Sequence, residues 1–291
     1  MDSKSNILIL GGTGSVGRSL TRQLLLGNPK QDILIYSRDE IKQLEMIQDF
    51  PAKEYPNLDF MIGDIRDGDR LLEACAKRNL VINAAAMKHV VMAEKNAEEC
   101  NKTNVGGTKN LTDACGRAGV TKCLHISTDK AIEPQGVYGK SKRESEDLIL
   151  EANGRFECSF SVVRFGNILG SRASVSEIFK KMAKTGCLTL TDPKATRFGV
   201  KMSDAIGFLM TKIKEMKGGE IFTPKMKAFH VIDLAKVIAP TSKLDVVGLR
   251  PGDKLHEVIL DDSGQYIYSN EAEIMDQNEI ISALTVDGSD G

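Results

Sequence analysis

The sequence lacks two kinds of feature, and their absence narrows its cellular setting. Its six cysteines form no C-x-x-C pair and show no spacing typical of a zinc site, so no metal centre is predicted. No N-terminal segment resembles a secretory signal. Together these absences predict reduced thiols and a cytoplasmic protein.

Long apolar runs and an excess of charge are also missing. No apolar stretch approaches the roughly eighteen residues that span a bilayer. The net charge of -1 leaves no global field for nucleic acid or an anionic membrane, so we predict neither as a partner. The 291 residues, which contain no internal repeat, suffice for one enlarged domain or for a main domain with a smaller lobe.

A glycine-rich loop follows the first predicted strand, residues 6–10, and precedes apolar residues at helical spacing. The glycines fit two registers, Gly12-x-Gly14-x-x-Gly17 and Gly11-x-x-Gly14-x-x-Gly17, and the second is typical of short-chain dehydrogenases. Either register lets the backbone approach a pyrophosphate at a helix N-terminus. We predict that the dinucleotide-binding residues of this loop are Gly11, Thr13, Gly14, Ser15, Val16 and Gly17.

The end of the second predicted strand, residues 32–36, bears on the choice of cofactor. NAD-preferring folds usually place an acid there, about twenty residues after the glycine loop, to hold the ribose 2'-hydroxyl. This sequence instead has Ser37 and Arg38, which suit a 2'-phosphate, so we predict NADP. The alternative is that Arg38 is a surface residue and that Asp39 or Glu40 holds the ribose.

Further cofactor contacts are predicted after the next two strands, residues 59–62 and 80–83. Asp64 follows the third strand and is placed to contact the adenine edge, and small residues after the fourth strand admit a cofactor close to the backbone. Lys88 is a candidate for the cofactor or the substrate, whereas the role of His89 stays open. The predicted contacts beyond the second strand are Asp64, Ile65, Ala84, Ala85, Lys88 and Asn104.

Ionisable groups meet where the fifth predicted strand, residues 122–126, gives way to a helix. Tyr138 and Lys142 lie four residues apart, which places them on one helical face. A cation about 4 Å from a forming phenolate contributes roughly 4 kcal/mol at a dielectric of about 20, or about three pKa units. We therefore predict that Tyr138 titrates near neutrality as a general acid/base, with Asp129 and Lys130 facing the same crevice. Tyr-x-x-x-Lys occurs often by chance, and the glycine loop is what favours the functional interpretation.

Repeated alternation of strand and helix predicts an α/β fold with a doubly wound, parallel, Rossmann-like sheet. We assign residues 1–170 to an NADP-binding domain, with a helix over 203–217 packing back on it. Residues 171–202 and 218–291 form a smaller C-terminal substrate-binding lobe. Arg197 and Arg250, in two separate loops, suit bidentate contact with a diphosphate. The last 31 residues carry eight acids and neither lysine nor arginine, which predicts a partly ordered, solvated tail.

Taken in order, these motifs cover nearly the whole chain and resemble one family. The chain resembles the inverting UDP-N-acetylglucosamine 4,6-dehydratases, which are extended short-chain dehydrogenases/reductases. Thr128-Asp129-Lys130 is similar to that family's pattern, whereas ordinary sugar-nucleotide 4,6-dehydratases carry Thr-Asp-Glu. Gly199 departs from the pattern, because an aromatic residue is expected there, and it bears on the shape of the sugar pocket. The segments that carry the resemblance are residues 36–40, 84–90, 102–105, 127–131 and 250–257.

The resemblance implies a mechanism in which NADP oxidises C4 of the sugar and later returns hydride to C6. Tyr138 takes the proton of the 4-hydroxyl, a neutral Lys130 removes the C5 proton, and a protonated Asp129 donates to the departing 6-hydroxyl. Lys142 also holds the nicotinamide ribose. The residues implied to bind the UDP-amino-sugar are Lys88, Thr128, Asn167, Arg197, Arg250 and Glu257.

Two other functions remain open at this stage. A UDP-amino-sugar 4-epimerase begins with the same C4 oxidation, but it needs no elimination acid such as Asp129. An NADP-sensing regulator of the same fold needs no Tyr138 and Lys142 together. In each case we expect a homo-oligomer, a dimer or higher.

Overall fold

The computed structural model describes residues 5–172, 174–261 and 263–285. Seven strands form one fully parallel sheet in the order β10-β6-β5-β4-β1-β2-β3, which confirms the predicted doubly wound fold. The strands of the described residues are β1 (Ile7–Leu10), β2 (Ile33–Ser37), β3 (Leu58–Ile62), β4 (Leu80–Asn83), β5 (Lys122–Thr128), β6 (Ser159–Phe165), β7 (Asn167–Ile168), β8 (Cys187–Leu190), β9 (Thr196–Val200), β10 (Ile221–Phe222), β11 (Lys227–His230), β12 (Lys243–Val246), β13 (Val258–Leu260) and β14 (Tyr266–Tyr268).

Helices cover both faces of this sheet. Among the helices of the described residues, none has the length and apolar character that crossing a bilayer requires. The α-helices are α1 (Ser15–Gly27), α2 (Glu40–Asp49), α3 (Gly68–Cys75), α4 (Val90–Lys95), α5 (Ala97–Asn101), α6 (Gly107–Ala118), α7 (Gly136–Glu151), α8 (Val175–Ala183), α9 (Met202–Glu215), α10 (Val231–Ile238) and α11 (Gln277–Leu284).

The central strands are apolar on both faces because each face is covered. In β1, Ile7 and Ile9 pack into a core that includes α1, α2 and α9. The alternate residues Leu8 and Leu10 pack into the opposite core, with α3, α6 and α7. A continuous apolar run is therefore what a parallel strand of this kind requires. The helix predicted over 203–217 appears as α9, which packs against α1.

Residues 97–118 do not form one continuous α-helix. The chain forms α5, then a π-helical turn at Lys102–Gly106, and only then α6. The turn contains Asn104, whose side chain and backbone carbonyl bond to other elements, so the irregularity has a structural use described below. Apolar spacing does not distinguish a π-turn from an α-helix over so short a span.

The residues after β6 that lie outside the central sheet, called the lobe here, form three small sheets. Strand β9 pairs with β11 and β7, β12 pairs with β8, and β13 pairs with β14. Arg197 lies within β9, so its predicted placement in a loop is wrong. Arg250 does lie in the irregular segment between β12 and β13.

The acidic C-terminal segment is more ordered than the predicted solvated tail as far as residue 285, where the described residues end. Asp276 caps α11 through a capping box with Glu279, which satisfies the first helical donors. Ile280 and Ala283 on this helix pack into the core of the lobe beside α10. Charge composition missed this helix because a few apolar residues at helical spacing are enough to anchor it. Residues 286–291 lie outside the described residues.

Candidate active site

The glycine loop lies at the switch point of the sheet, between β1 and β4. Gly11 has a φ of +69°, and a Cβ added to it would lie 2.8 Å from the backbone nitrogen of Ala85. A Cβ on Gly17 would lie 2.5 Å from Gly12 backbone atoms. Gly14 is the N-cap of α1 and makes no side-chain cap bond, and Gly14, Ser15, Val16 and Gly17 line the cavity described next. A side chain is therefore excluded at Gly11 and Gly17, and also at Gly12, where a Cβ would lie 2.9 Å from Ile35, so crowding does not distinguish the two registers.

One large cavity, of about 1230 Å³, runs from the glycine loop across the ends of β4 and β5 into the lobe. It brings together most of the predicted site residues. Asp129 and Asn104 are not in its wall. The predicted residues that line it are Gly11, Thr13, Gly14, Ser15, Val16, Gly17, Ser37, Arg38, Asp64, Ile65, Ala84, Ala85, Lys88, Thr128, Lys130, Tyr138, Lys142, Asn167, Arg197, Arg250 and Glu257.

At the β2 end of the cavity, Arg38 is 62% exposed and lies 3.5 Å from the carboxylate of Asp64. Arg66 binds that carboxylate more tightly, at 2.7 and 3.0 Å, so Arg38 keeps donors available for a ligand. Burial would raise the pKa of Asp64, but its bonds to Arg66 outweigh burial and lower the pKa. Asp39 is occupied in capping α2 through the backbone N–H of Lys42. Arg38 therefore has donors free at this end of the cavity, whereas the carboxylate of Asp39 is engaged in the cap.

At the end of β5, Lys130 lies between two carboxyl groups. Its Nζ is 3.1 Å from Oδ1 of Asp129 and 3.1 Å from Oε1 of Glu257. Asp129 is fully buried and also accepts a hydrogen bond from the hydroxyl of Thr128. The other carboxyl oxygens, Oδ2 of Asp129 and Oε2 of Glu257, are buried without a hydrogen-bond partner among the described residues. Sequence reasoning placed Glu257 with the substrate and missed its contact with Lys130, because nothing local links the two positions.

The charges in this cluster differ from the expectation of a neutral lysine. Burial alone would lower the pKa of Lys130, but Asp129 and Glu257 outweigh it and raise the pKa. Burial raises the pKa of Asp129, against the effect of Lys130. For Glu257, the cations Lys130, Arg197 and Lys254 outweigh burial and lower the pKa. Asp129 and Glu257 therefore both hold Lys130 as an ammonium, and burial makes Asp129 the more basic of the two carboxyl groups.

Tyr138 does not titrate near neutrality in this structure. Burial raises its pKa to about 12, although the charge of Lys130 and a hydrogen bond with Thr128 act in the opposite direction. The expected contact with Lys142 is absent from the hydrogen bonds of the described residues. The prediction failed because spacing places two residues on one helical face but does not decide where a long side chain points.

Lys142 lines the cavity, but its amine lies against β5. Its Nζ lies 2.8 Å from Nε2 of His125 and donates to the carbonyl of Ile126 at 2.9 Å. Nδ1 of His125 lies 3.0 Å from Nδ2 of Asn83. Sequence reasoning did not single out His125 or Asn83, although a histidine within an otherwise apolar strand was a signal. Burial lowers the pKa of Lys142 to about 8.

Asn104 supports the site from behind its wall. Its amide accepts from the backbone N–H of Met87 and donates to the Met87 carbonyl, so it holds the loop that lines the cavity. It also donates to the hydroxyl of Ser141, on α7. Its backbone carbonyl, which belongs to the π-turn, accepts from the hydroxyl of Ser145. In this structure Asn104 is a positioning residue rather than part of the cavity wall.

The two arginines predicted to bind a diphosphate have different surroundings. Arg197 donates to the carbonyls of Thr196, Lys254 and Leu255, so its guanidinium anchors the segment that carries Glu257. Arg250 is half exposed, and its guanidinium contacts only Asp253 among the described residues. Arg250 is the arginine with donors free for an anion.

The remaining predicted positions lie around the rim and within the lobe. Lys88 lines the cavity and donates to the carbonyl of Arg172, and His89 precedes α4 without capping it. Oδ1 of Asn167 is buried without a hydrogen-bond partner among the described residues, and it lines the cavity. Gly199 is not in the wall, since a Cβ there would meet Phe229 and Met275. Its expected effect on the sugar pocket is therefore indirect.

The site fits a dinucleotide, which the fold implies. The close approach of Gly11 to the backbone of Ala85 leaves a cradle that a side chain would fill. The N-terminus of α1, the exposed guanidinium of Arg38 and the small residues after β4 face the same cavity. These are groups of the kind that bind the pyrophosphate and ribose of a dinucleotide.

The fold and the site define a Rossmann-fold protein of the extended short-chain dehydrogenase/reductase class. Within this class, residues 7–279 match the model of the polysaccharide biosynthesis protein family, and the chain belongs to that family.

Comparison with individual proteins confirms the resemblance. The UDP-N-acetylglucosamine 4,6-dehydratase (inverting) of Campylobacter jejuni is 45% identical over 270 residues, which are 90% of this chain and 80% of that protein. The UDP-glucose 4-epimerase of Rickettsia rickettsii is 37% identical over 266 residues, 87% of this chain and 77% of that protein. The X-ray structure of Pen from Bacillus thuringiensis superimposes with a TM-score of 0.90 at 30% identity, covering 96% of this chain and 97% of that one.

Proposed function

We propose that this protein is an NADP-dependent UDP-N-acetylglucosamine 4,6-dehydratase that inverts C5. The observation that carries the proposal is the cluster of Asp129, Lys130 and Glu257 in contact with the cavity that Tyr138 lines. Elimination of water needs a base for the C5 proton and an acid for the departing 6-hydroxyl. The printed name of the Campylobacter relative supports the same reaction.

Tyr138 is the group that accepts the proton of the sugar 4-hydroxyl. Bound NADP supplies a hydride acceptor for C4 and a hydride donor for C6, so it is regenerated in each turnover. In the ligand-free protein the phenol is neutral, with a pKa of about 12 set mainly by burial. The charge of Lys130 and the hydrogen bond with Thr128 already stabilise the phenolate. The sugar 4-hydroxyl is thus activated at Tyr138, next to Lys130 and Thr128.

Asp129 and Lys130 supply the acid and the base of the elimination. Transfer of one proton from Lys130 to Asp129 turns the buried ion pair into an amine and a carboxylic acid, the two species that the reaction needs. Burial favours this neutral pair, because both charged groups lose hydration. Glu257 opposes the transfer, since it stabilises the ammonium at 3.1 Å. A sugar hydroxyl that engages Glu257 therefore releases Lys130 to act as a base.

The substrate is held by groups at the lobe side of the cavity. Arg250, half exposed and bound only to Asp253, contacts the diphosphate. Arg197 holds the segment of Glu257 and contributes its charge. Thr128, Asn167 and Lys88 also contact the substrate. Oδ1 of Asn167, which is buried without a hydrogen-bond partner among the described residues, accepts a hydrogen bond from the substrate.

Mass spectrometry of the nucleotide sugar tests the proposal. Incubation of the protein with NADP and UDP-N-acetylglucosamine should yield a product lighter by one water. Tyr138→Phe removes one oxygen and should keep dinucleotide binding while abolishing this product. Turnover of Tyr138→Phe near the wild-type rate would move the C4 base to another group.

The stereochemistry at C5 needs a second experiment. In deuterium oxide, deuterium should appear at C5 of the L-arabino 4-keto-6-deoxy product, which proton NMR couplings around the ring identify. A fresh product with the D-xylo configuration would contradict inversion and leave only the wider 4,6-dehydratase assignment.

A 4-epimerase is the second candidate, favoured by the likeness to the Rickettsia protein. An isomer of unchanged mass in the same incubation would establish it over the dehydratase. No change in the sugar, with dinucleotide binding retained, would favour a sensor. A homo-oligomeric state and the division into domains remain predictions.

A further inference from the structure

A chain of three buried side chains runs from the cavity wall into the sheet, and the proposed mechanism does not use two of them. Asn83 at the end of β4, His125 in β5 and Lys142 in α7 are each at most 2% exposed. We call these residues the amide-imidazole-amine chain. Asn83 reaches the cavity wall through Ala85, whose backbone N–H donates to Oδ1 of Asn83 at 3.0 Å.

The directions of the hydrogen bonds in this chain follow from that contact. Because Oδ1 of Asn83 accepts from Ala85, its Nδ2 donor faces Nδ1 of His125, at 3.0 Å. Nδ1 must therefore be an acceptor. Burial, the largest cause, keeps the pKa of His125 well below its ordinary value, so the ring is neutral and has one N–H. That N–H must lie on Nε2.

Nε2 of His125 in turn lies 2.8 Å from Nζ of Lys142. An ammonium has donors only, so it would place an N–H against another N–H. A neutral amine has a lone pair for the imidazole N–H, and one of its own hydrogens reaches the carbonyl of Ile126. With the other tautomer of His125, Nδ1–H would face the Nδ2 donor of Asn83. If the Asn83 amide were also reversed, its Nδ2 would face the backbone N–H of Ala85. An ammonium on Lys142 therefore leaves two donors facing each other in every arrangement.

We propose that Asn83 and His125 are positioning residues that hold Lys142 as a neutral amine, turned away from Tyr138, when no dinucleotide is bound. Lys142 then takes up a proton when it leaves His125 for the nicotinamide ribose and Tyr138. This second step rests on the proposed function. It links cofactor binding to the activation of Tyr138, which stays a neutral phenol until the dinucleotide has arrived.

The other groups around Lys142 do not remove this preference. Glu146 on α7 and Cys100 on α5 would both raise the pKa of Lys142, yet burial outweighs them and lowers it to about 8. Glu146 is itself held by Arg164 on β6, at 2.6 and 2.9 Å, which balances its charge. Cys100, a thiol with a raised pKa, is neutral at pH 7.

Titration of Lys142 in the ligand-free protein tests the first step without any turnover. The Cε signal of Lys142, identified by its loss in Lys142→Arg, can be followed by carbon NMR against pH. Burial lowers the pKa of Lys142 to about 8, and the donor-donor contact with Nε2–H of His125 must lower it further, so we expect a midpoint below about pH 7. A midpoint at or above about pH 7 would leave Lys142 mainly an ammonium at neutral pH and would overturn the proposal. Failure of the dehydratase reaction would not affect this measurement, so the two proposals can fail separately.

A variant that reverses the tautomer of His125 tests the role of the amide-imidazole-amine chain. In Asn83→Asp one carboxylate oxygen accepts from Ala85 and the other accepts Nδ1–H of His125, so Nε2 becomes an acceptor for an ammonium. The Lys142 midpoint should rise by at least about one pH unit, since one pKa unit is a tenfold change in the protonation equilibrium.

The added charge could raise the midpoint without the ring, so the same substitution is also made in a His125→Phe background. With phenylalanine there, Asn83→Asp should raise the midpoint by much less. An equal rise in both backgrounds would overturn the proposal. If Asn83→Asp does not fold, the wild-type titration still decides the first step.

Discussion

Arg38 is the residue on which the choice of NADP rests. It keeps donors free because Arg66 holds their shared partner Asp64 more closely. We predict that Arg38→Ala weakens NADP binding by roughly 1.5 to 3 kcal/mol, the range of a hydrogen bond to a charged group, and barely changes NAD binding. Equilibrium titration with each dinucleotide measures this difference. Equal losses for the two dinucleotides in Arg38→Ala would show that Arg38 does not read the 2'-phosphate.

Glu257 is the residue that sets the charge of Lys130. Glu257→Gln removes a negative charge 3.1 Å from Nζ, so the pKa of Lys130 must fall and its amine form must appear at lower pH. The acid limb of the kcat/KM profile should move down by at least about one pH unit, because a charge pair at such distances is worth several kcal/mol.

Asp253→Asn is the matched control for this prediction. It removes a negative charge from the same segment, where Asp253 pairs with Arg250 rather than with Lys130. Its acid limb should stay at the wild-type pH even if substrate binding weakens. If the acid limb of Glu257→Gln stays at the wild-type pH, a group other than Lys130 sets that limb.

At the scale of elements, the turn from β1 to α1 must be both left-handed and close to β4. Gly11 meets both demands, whereas Gly119, at the end of α6, has a φ of +72° and open space around its Cβ position. Alanine at either position should cost about 1–3 kcal/mol of unfolding free energy through backbone strain. Only Gly11→Ala should also weaken NADP binding, because its Cβ would press on the backbone of Ala85. Denaturant unfolding and cofactor titration of both variants check this, and equal cofactor affinity would contradict the close approach.

At the scale of the whole molecule, the C-terminal helix α11 belongs to the core of the lobe. Ile280 is fully buried and its neighbour Ile281 is 49% exposed. Ile280→Ala should therefore cost about 2–5 kcal/mol of unfolding free energy, and Ile281→Ala should stay within about 0.5 kcal/mol of wild type. Urea unfolding monitored on both variants measures the difference. Equally small effects of both substitutions on the unfolding free energy would show that this segment is a solvated tail, as its charge suggests.

By itself the sequence determined the strand and helix order, the glycine loop and the identity of most residues that line the cavity. Periodicity, turn residues and short motifs are local, and the carboxyl ends of parallel strands must converge at one edge of the sheet. Only the tertiary structure decided the charge of Lys130, the partner of Lys142 and the pKa of Tyr138. Those properties depend on burial and on groups such as Glu257, His125 and Asn83, which other elements bring into contact, and no spacing along the chain encodes that contact.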